Sequence, residues 1–168
     1  RSGLSVLAIS PLKALINDQY QRLQGLCENL AIQVTRWHGD VPQSFKTRLM
    51  KDPSGILLIT PESLEALFVH RGSMLSGFFS ELTYMVVDEL HAFIGTERGR
   101  QVQALMHRIE LVIRRRFPRI ALSATLGDMQ LATEFLRPGH GEKTIIVVSG
   151  QEGQDLKVQV RGYPSLSN

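Results

Sequence analysis

Two rhythms of apolar and polar positions alternate along the chain. Mostly apolar runs occupy residues 4–9, 32–37, 56–60, 82–87, 119–123 and 144–148. Runs of this length read as strands buried on both faces, as in a parallel sheet. Between them the apolar residues recur at helical spacing. Leu12, Leu15, Ile16, Gln19 and Leu23 fall on one face, with Ser10 placed as N-cap, Pro11 at the first helical position and Gly25 set to weaken or end the helix. Further helices are expected over 42–51, over 61–69, weakly over 74–80, from Val102 to Arg116, and from an Asp128 cap to Leu136. Pro118 bars continuation of the fourth of these. Residues 52–55 read as a turn, and residues 156–160 as an extra strand or the start of a following segment. Strands alternating with helices predict a right-handed, mostly parallel α/β fold, a three-layer sandwich.

Composition narrows this little. The chain has 168 residues, 43% hydrophobic and 21% charged, which suits one domain with a sizeable core. A net charge of +3 permits an anionic partner without demanding one. The single cysteine, Cys27, has no internal disulfide partner, and the five histidines are scattered without zinc-site spacing. No apolar run reaches roughly 18 residues, so no membrane partner is expected, and a reducing, cytoplasmic setting is the natural reading. The chain begins at Arg1 rather than Met and enters a strand at once, which reads as a piece of something longer.

The residues just past each strand change the picture. They are Ser10-Pro11-Leu12-Lys13, His38-Gly39-Asp40, Thr60-Pro61-Glu62, Asp88-Glu89-Leu90-His91 and Ser123-Ala124-Thr125. In an open parallel sheet these groups gather along the carboxyl edge, where ligands bind. Hydroxyls, a glycine, a lysine and helix N-termini suit phosphate oxygens. An apolar strand ending in Asp-Glu is also the Walker-B pattern, with one carboxylate for Mg²⁺ and the next for an attacking water. Each piece has a plain alternative. Asp88-Glu89 can be a solvated turn, Thr60-Pro61-Glu62 a simple helix start, Lys13 a solvated lysine and His91 a packed one. Their occurrence in order, at successive strand ends, favours the functional reading.

On these residues the chain resembles the first RecA-like motor domain of superfamily-two DExH-box (DEAD/DEAH) helicases. Motif Ia corresponds to residues 10–15, motif Ib to Thr60-Pro61-Glu62, motif II to Asp88-Glu89-Leu90-His91 and motif III to Ser123-Ala124-Thr125. The segment Trp37-His38-Gly39-Asp40 and the pair Arg98-Gly99 are similar to the large helicase-related (Lhr) group. The resemblance implies a motor domain over residues 1–150, with 151–168 as a linker or the start of a following segment. It implies ATP hydrolysis coupled to movement on, or unwinding of, nucleic acid. Asp88 would hold Mg²⁺ through water, Glu89 would orient and help deprotonate the attacking water, and His91 would link the site to motif III or a neighbouring domain. Ser123, Ala124 and Thr125 would couple nucleotide state to strand binding. Ser10, Pro11, Lys13, Gly39, Thr60, Pro61 and Glu62 would contact the nucleic acid, single-stranded or duplex, with DNA favoured over RNA. A second RecA-like domain of the same protein would be the other partner.

The sequence departs from the family in one respect. No G-x-x-x-x-G-K-[ST] stretch occurs in it; in the family that P-loop precedes motif Ia. The isolated chain is therefore expected to be catalytically inactive, since tight binding of ATP and Mg²⁺ needs the P-loop. The alternative is a nucleic-acid-binding module without motor activity. An unrelated α/β enzyme lacks support, because neither a G-x-S-x-G elbow nor a G-x-G-x-x-G fingerprint appears. Arg114, Arg115 and Arg116 are read as solvated charges complementing a helix end rather than, with Arg119, a nucleic-acid patch, and Trp37 as core or half-buried rather than a base-stacking platform.

Overall fold

The computed structural model describes residues 3–125 and 127–148. Five parallel strands form one sheet: β1 (Gly3–Ile9), β2 (Val34–Trp37), β3 (Ser54–Ile59), β4 (Tyr84–Val87) and β5 (Arg119–Ala121), in the order β2-β3-β1-β4-β5. Between them run α1 (Lys13–Cys27), α2 (Gln43–Lys51), α3 (Pro61–Arg71), α4 (Leu75–Phe78) and α5 (Glu97–Ile113), and α6 (Met129–Leu136) follows β5. The chain starts at the centre, builds outward to β2, returns to β3, and then crosses β1 to lay down β4 and β5. The order reverses between β1 and β4, and such a switch point opens a crevice at the carboxyl ends of the strands.

Side chains alternate across the sheet as the pleat requires. Leu7, Ile9, Leu57, Ile59, Met85 and Val87 point into the larger core, which holds Leu64 and Leu67 of α3, Phe78 of α4, and Val102, Leu105, Met106 and Ile109 of α5. Ala8 and Leu58 face the other way and pack with Ile16 of α1, flanked by Tyr20 and Leu23. On this second side α1 covers the β1–β3 half. Among the described residues nothing covers the β4–β5 half, leaving Tyr84 at 43%, Ile120 at 41% and Leu122 at 51% exposed.

Several expectations are corrected. The first helix starts at Lys13 with Leu12 as its N-cap, and no side chain caps it, because the Ser10 hydroxyl is engaged elsewhere. Gly25 does not end it; the helix continues to Cys27. The long helix stops at Ile113, where Arg114 adopts a left-handed conformation, three residues short of the expected end. Nor are all the nearby arginines solvated. The Arg119 side chain is buried and paired with Glu110 at 2.8 Å, and Arg115 donates to the carbonyls of Ser80 and Leu82. The expected sixth strand, residues 144–148, pairs with nothing among the described residues. It follows a 3₁₀ turn (Gly141–Lys143) pinned by Glu134, which accepts from the Gly139 and Gly141 N–H groups. A β-branched run pleats only beside a partner strand, and no described strand lies alongside it. The extra strand at 156–160 and the linker at 151–168 fall outside the described residues.

An open strand edge beside exposed apolar residues predicts self-association of the isolated chain. Sedimentation velocity should show mass rising with concentration. Ile120→Lys, at an exposed position, should suppress that rise while costing less than about 1 kcal/mol of stability. Equal association in the variant would place the contact elsewhere.

Candidate functional site at the carboxyl edge

Strand register assembles the site. Trp37 pairs with Ile59, Ile59 with Ile9, Ile9 with Val87, and Val87 with Ala121. These five residues form one row across the sheet. The next residues, His38, Thr60, Ser10, Asp88 and Leu122, form the row above it at the carboxyl edge. The Asp88 N–H donates to the Ile9 carbonyl at 2.9 Å and the Ser10 N–H to Ile59 at 3.1 Å, so the ladder carries into this row. All five predicted groups thus stand along one edge.

At the β1–β4 switch point, Asp88 is half-buried and its Oδ2 accepts from the Gln19 side-chain amide. The Ser10 hydroxyl lies 3.1 Å from Gln19 Oε1 and 3.4 Å from the same Asp88 oxygen. Ser10 is fully buried, so its side chain turns to Asp88 rather than outward. Glu89 adopts φ +50° and ψ +49°, a left-handed conformation that costs an ordinary residue on the order of 1 kcal/mol. It opens a 3₁₀ turn (Leu90–Ala92) that brings His91 back toward it. His91 Nδ1 lies 3.3 Å from Glu89 Oε2 and 3.1 Å from Ser123 Oγ, so one ring nitrogen bridges the second acid to the end of β5. Ser123 also donates to the Thr125 carbonyl at 3.1 Å, while Ala124 and Thr125 are exposed.

The other half of the edge is an open groove of about 790 Å³ between α1, α2 and α3. Lys13, Gly39, Thr60 and Glu62 line it, with Lys46 and Arg98 adding two further cations. Lys13 Nζ grips both Asp40 oxygens at 3.0 and 3.1 Å and holds that carboxyl below its ordinary range. A Cβ at Gly39 would stand 3.3 Å from Lys13 Nζ, so glycine leaves the lysine room to cross. Thr60 caps α3, accepting from the Ser63 N–H at 3.3 Å, and Pro61 sits in the first turn. Arg98 donates to Glu62 at 2.7 Å and to the Pro11 carbonyl at 2.8 Å, tying two groove walls to α5. Burial pushes the Glu62 carboxyl up, but the Arg98 hydrogen bond and charge outweigh it and leave it below its ordinary value. Gly99 beside it is obligatory: a Cβ would lie 1.9 Å from the Phe93 carbonyl oxygen. Trp37 is 9% exposed and belongs to the core, with Lys46 Nζ 6.0 Å from its ring. Sequence reasoning gave no role to Gln19 or Lys46. Gln19 carried a signal, since it is the one polar residue in an apolar helical stripe.

The sequence profile of DEAD/DEAH box helicases matches residues 1–133. The chain belongs to the DEAD/DEAH box helicase family. Within the family it is similar to Lhr proteins. It is 29% identical to the Lhr helicase/probable uracil glycosylase of Mycolicibacterium smegmatis, over 99% of this chain and 12% of that protein. It is 32% identical to the ATP-dependent helicase Lhr-Core of Methanothermobacter thermautotrophicus, over 76% of this chain and 16% of that one. The structure of Mycobacterium smegmatis helicase Lhr bound to ssDNA and AMP-PNP superposes with a TM-score of 0.70 at 28% identity, covering 80% of this chain and 19% of that one. The chain has the RecA-like α/β fold of these relatives and spans under a fifth of their length.

His38 supplies a pH signature. It is 3% exposed, and its Nε2 lies 3.1 Å from Asn17 Oδ1. Burial lowers its pKa most; Asp40 opposes this, and Arg36, Lys13 and Lys46 add to it. The unfolded chain then binds a proton that the folded chain refuses. Stability from neutral His38 is complete above the unfolded value of about 6.5 and drains as pH falls toward the folded one. Urea midpoints at about pH 8 and about pH 5.5 should differ less in His38→Gln than in the unaltered chain. Equal differences would show that His38 does not titrate with folding.

Proposed function

We propose that this chain is the strand-gripping and water-activating part of an ATP-dependent helicase or translocase motor acting on nucleic acid. One observation carries the reading: of the two switch-point acids, Asp88 is held by Gln19 and Glu89 is wired through His91 to Ser123, beside a groove lined by Lys13, Lys46 and Arg98.

The residues suit a magnesium nucleotide. No cluster of three ligating side chains occurs among the described residues. Mg²⁺ is ordinarily held by one or two carboxylates with waters and substrate phosphates, so the single carboxylate of Asp88 fits that mode. Its Oδ2 is occupied by Gln19, and no described hydrogen bond engages Oδ1, which is left for a metal-bound water. Bound there, the ion would neutralise charge building on the phosphates. Glu89 accepts the proton of the attacking water, and its left-handed backbone aims the carboxylate toward His91 and away from the Asp88 cluster. His91 steadies Glu89 and reports its position to Ser123. Exposed Ala124 and Thr125 offer that signal to a second motor domain of the same protein. In the groove, Lys13, Gly39 and the N-terminal turn of α3 at Thr60-Pro61-Glu62 meet the sugar-phosphate backbone, which supplies affinity without reading sequence. DNA is the favoured strand, supported by the likeness to a helicase captured on single-stranded DNA.

In the full-length protein, Glu89→Gln should lower strand-stimulated ATP turnover by about 10²-fold or more while leaving nucleotide affinity nearly unchanged. The amide keeps the shape and cannot take the proton. Turnover within a few-fold of the parent would remove Glu89 from the mechanism.

The chain by itself should release no phosphate above its own Glu89→Gln control. Two acids without a P-loop cradle have no held triphosphate to act on, and arginine fingers alone are worth about 10³–10⁵ in rate. Salt-sensitive binding of single-stranded DNA through the groove should persist, detectable by fluorescence anisotropy. Phosphate release that the control abolishes would overturn the assignment of the chain as half a site.

A further inference from the structure

We infer that Gln19, with Ser10 behind it, is a positioning residue for Asp88. The inference rests on the motor reading above and adds a residue to it. A carboxylate only accepts hydrogen bonds, so the Gln19 amide must present its NH₂ to Asp88 Oδ2. Its carbonyl then faces back and accepts from the Ser10 hydroxyl at 3.1 Å. The chain of donors runs one way, from Ser10 to Gln19 to Asp88. Ser10 is fully buried and its own N–H is bonded to the Ile59 carbonyl, so the origin of the chain is rigid. One oxygen of Asp88 is thereby fixed, and rotation about its terminal torsion, broad for an unanchored carboxylate, is removed. Oδ1, which no described hydrogen bond engages, then keeps a constant direction.

Gln19 also joins the two halves of the site. It lies on α1, whose first residue is the groove lysine Lys13. The same helix therefore touches the strand-binding groove at its start and the switch-point acid less than two turns later. Apart from Ser10, no other side chain among the described hydrogen bonds reaches the Asp88 carboxylate.

The test uses the full-length protein and two variants. Gln19→Met keeps length and bulk and removes both hydrogen bonds. Gln19→Asn keeps the amide and withdraws it by one methylene. Each should raise the Mg²⁺ concentration giving half-maximal ATP turnover by about tenfold, the scale of one lost hydrogen bond to a charged group. Mn²⁺ binding in the presence of AMP-PNP, read by electron paramagnetic resonance, should weaken by a similar factor. Affinity for single-stranded DNA without nucleotide should stay within about twofold, and thermal melting should confirm a folded protein. A folded variant with unchanged Mg²⁺ dependence and unchanged Mn²⁺ binding overturns the assignment. Loss of strand affinity equal to the loss of metal affinity would also overturn it, because Gln19 would then be supporting α1 rather than Asp88. If the unaltered full-length protein shows no Mg²⁺-dependent turnover, the motor reading fails and the inference fails with it.

Discussion

The register of five parallel strands is the constraint on which the site depends. Parallel pairing puts Trp37, Ile59, Ile9, Val87 and Ala121 level, so every group that follows them emerges at the same height. A one-residue slip would turn each strand's apolar set from one core to the other and reverse the side chains at the edge. The larger core opposes such a slip, because Leu57, Ile59, Met85 and Val87 fill it from one face and Leu58 cannot replace them. Packing thus sets chemical geometry here. The row holding Asp88 is placed by methyl groups one residue below it.

A second device holds the far end of that row. β5 has only three residues and, among the described residues, pairs on one side, so the ladder alone supports it weakly. Glu110, near the end of α5, accepts from Arg119 of β5 at 2.8 Å and from Arg137 beyond α6 at 2.7 Å. Those arginines also donate to the carbonyls of Leu136 and Phe117, binding strand, helix and loop into one unit. Breaking one partner of such a buried pair strands a charge, which costs more than the pair contributes. The network lies away from the acids, yet it fixes where Ser123 stands when His91 reaches for it.

How much of this was legible beforehand follows from what each residue depends on. Strand existence was legible because an unbroken apolar run has few ways to be buried. The edge row was legible because parallel strands share a carboxyl end. The role of Ser10 was not, since a serine before a proline looks like a cap in any sequence, and only spatial adjacency of β1, β4 and α1 reveals that the Gln19–Asp88 pair claims it. Residues 144–148 failed for the opposite reason. Thr144 through Val148 have strand composition, but strand formation is a property of pairs, and composition says nothing about the presence of a neighbour. Arg119 looked like its solvated neighbours because charge patterning does not distinguish a guanidinium facing water from one facing Glu110.

Glu89 brings these lines together. Its left-handed backbone is disfavoured for a residue with a Cβ, and the 3₁₀ turn after it is stabilised by bonds that begin there: the Ala92 N–H donates to the Glu89 carbonyl at 2.8 Å, and the Leu90 N–H to Leu122 at 2.9 Å. Leu90 is fully buried and anchors the turn in the core. The backbone is therefore held in its costly shape by packing on one side and by β5 on the other. The effect is to separate two adjacent acids. Asp88 continues the line of β4 into the Ser10–Gln19 cluster, while Glu89 breaks out of that line toward His91 and Ser123. Regular strand geometry would also send neighbouring side chains to opposite faces, but it would leave Glu89 on the sheet rather than at its rim. A single strained residue thus gives two identical carboxylates two different sets of partners, and two different environments follow from the backbone alone.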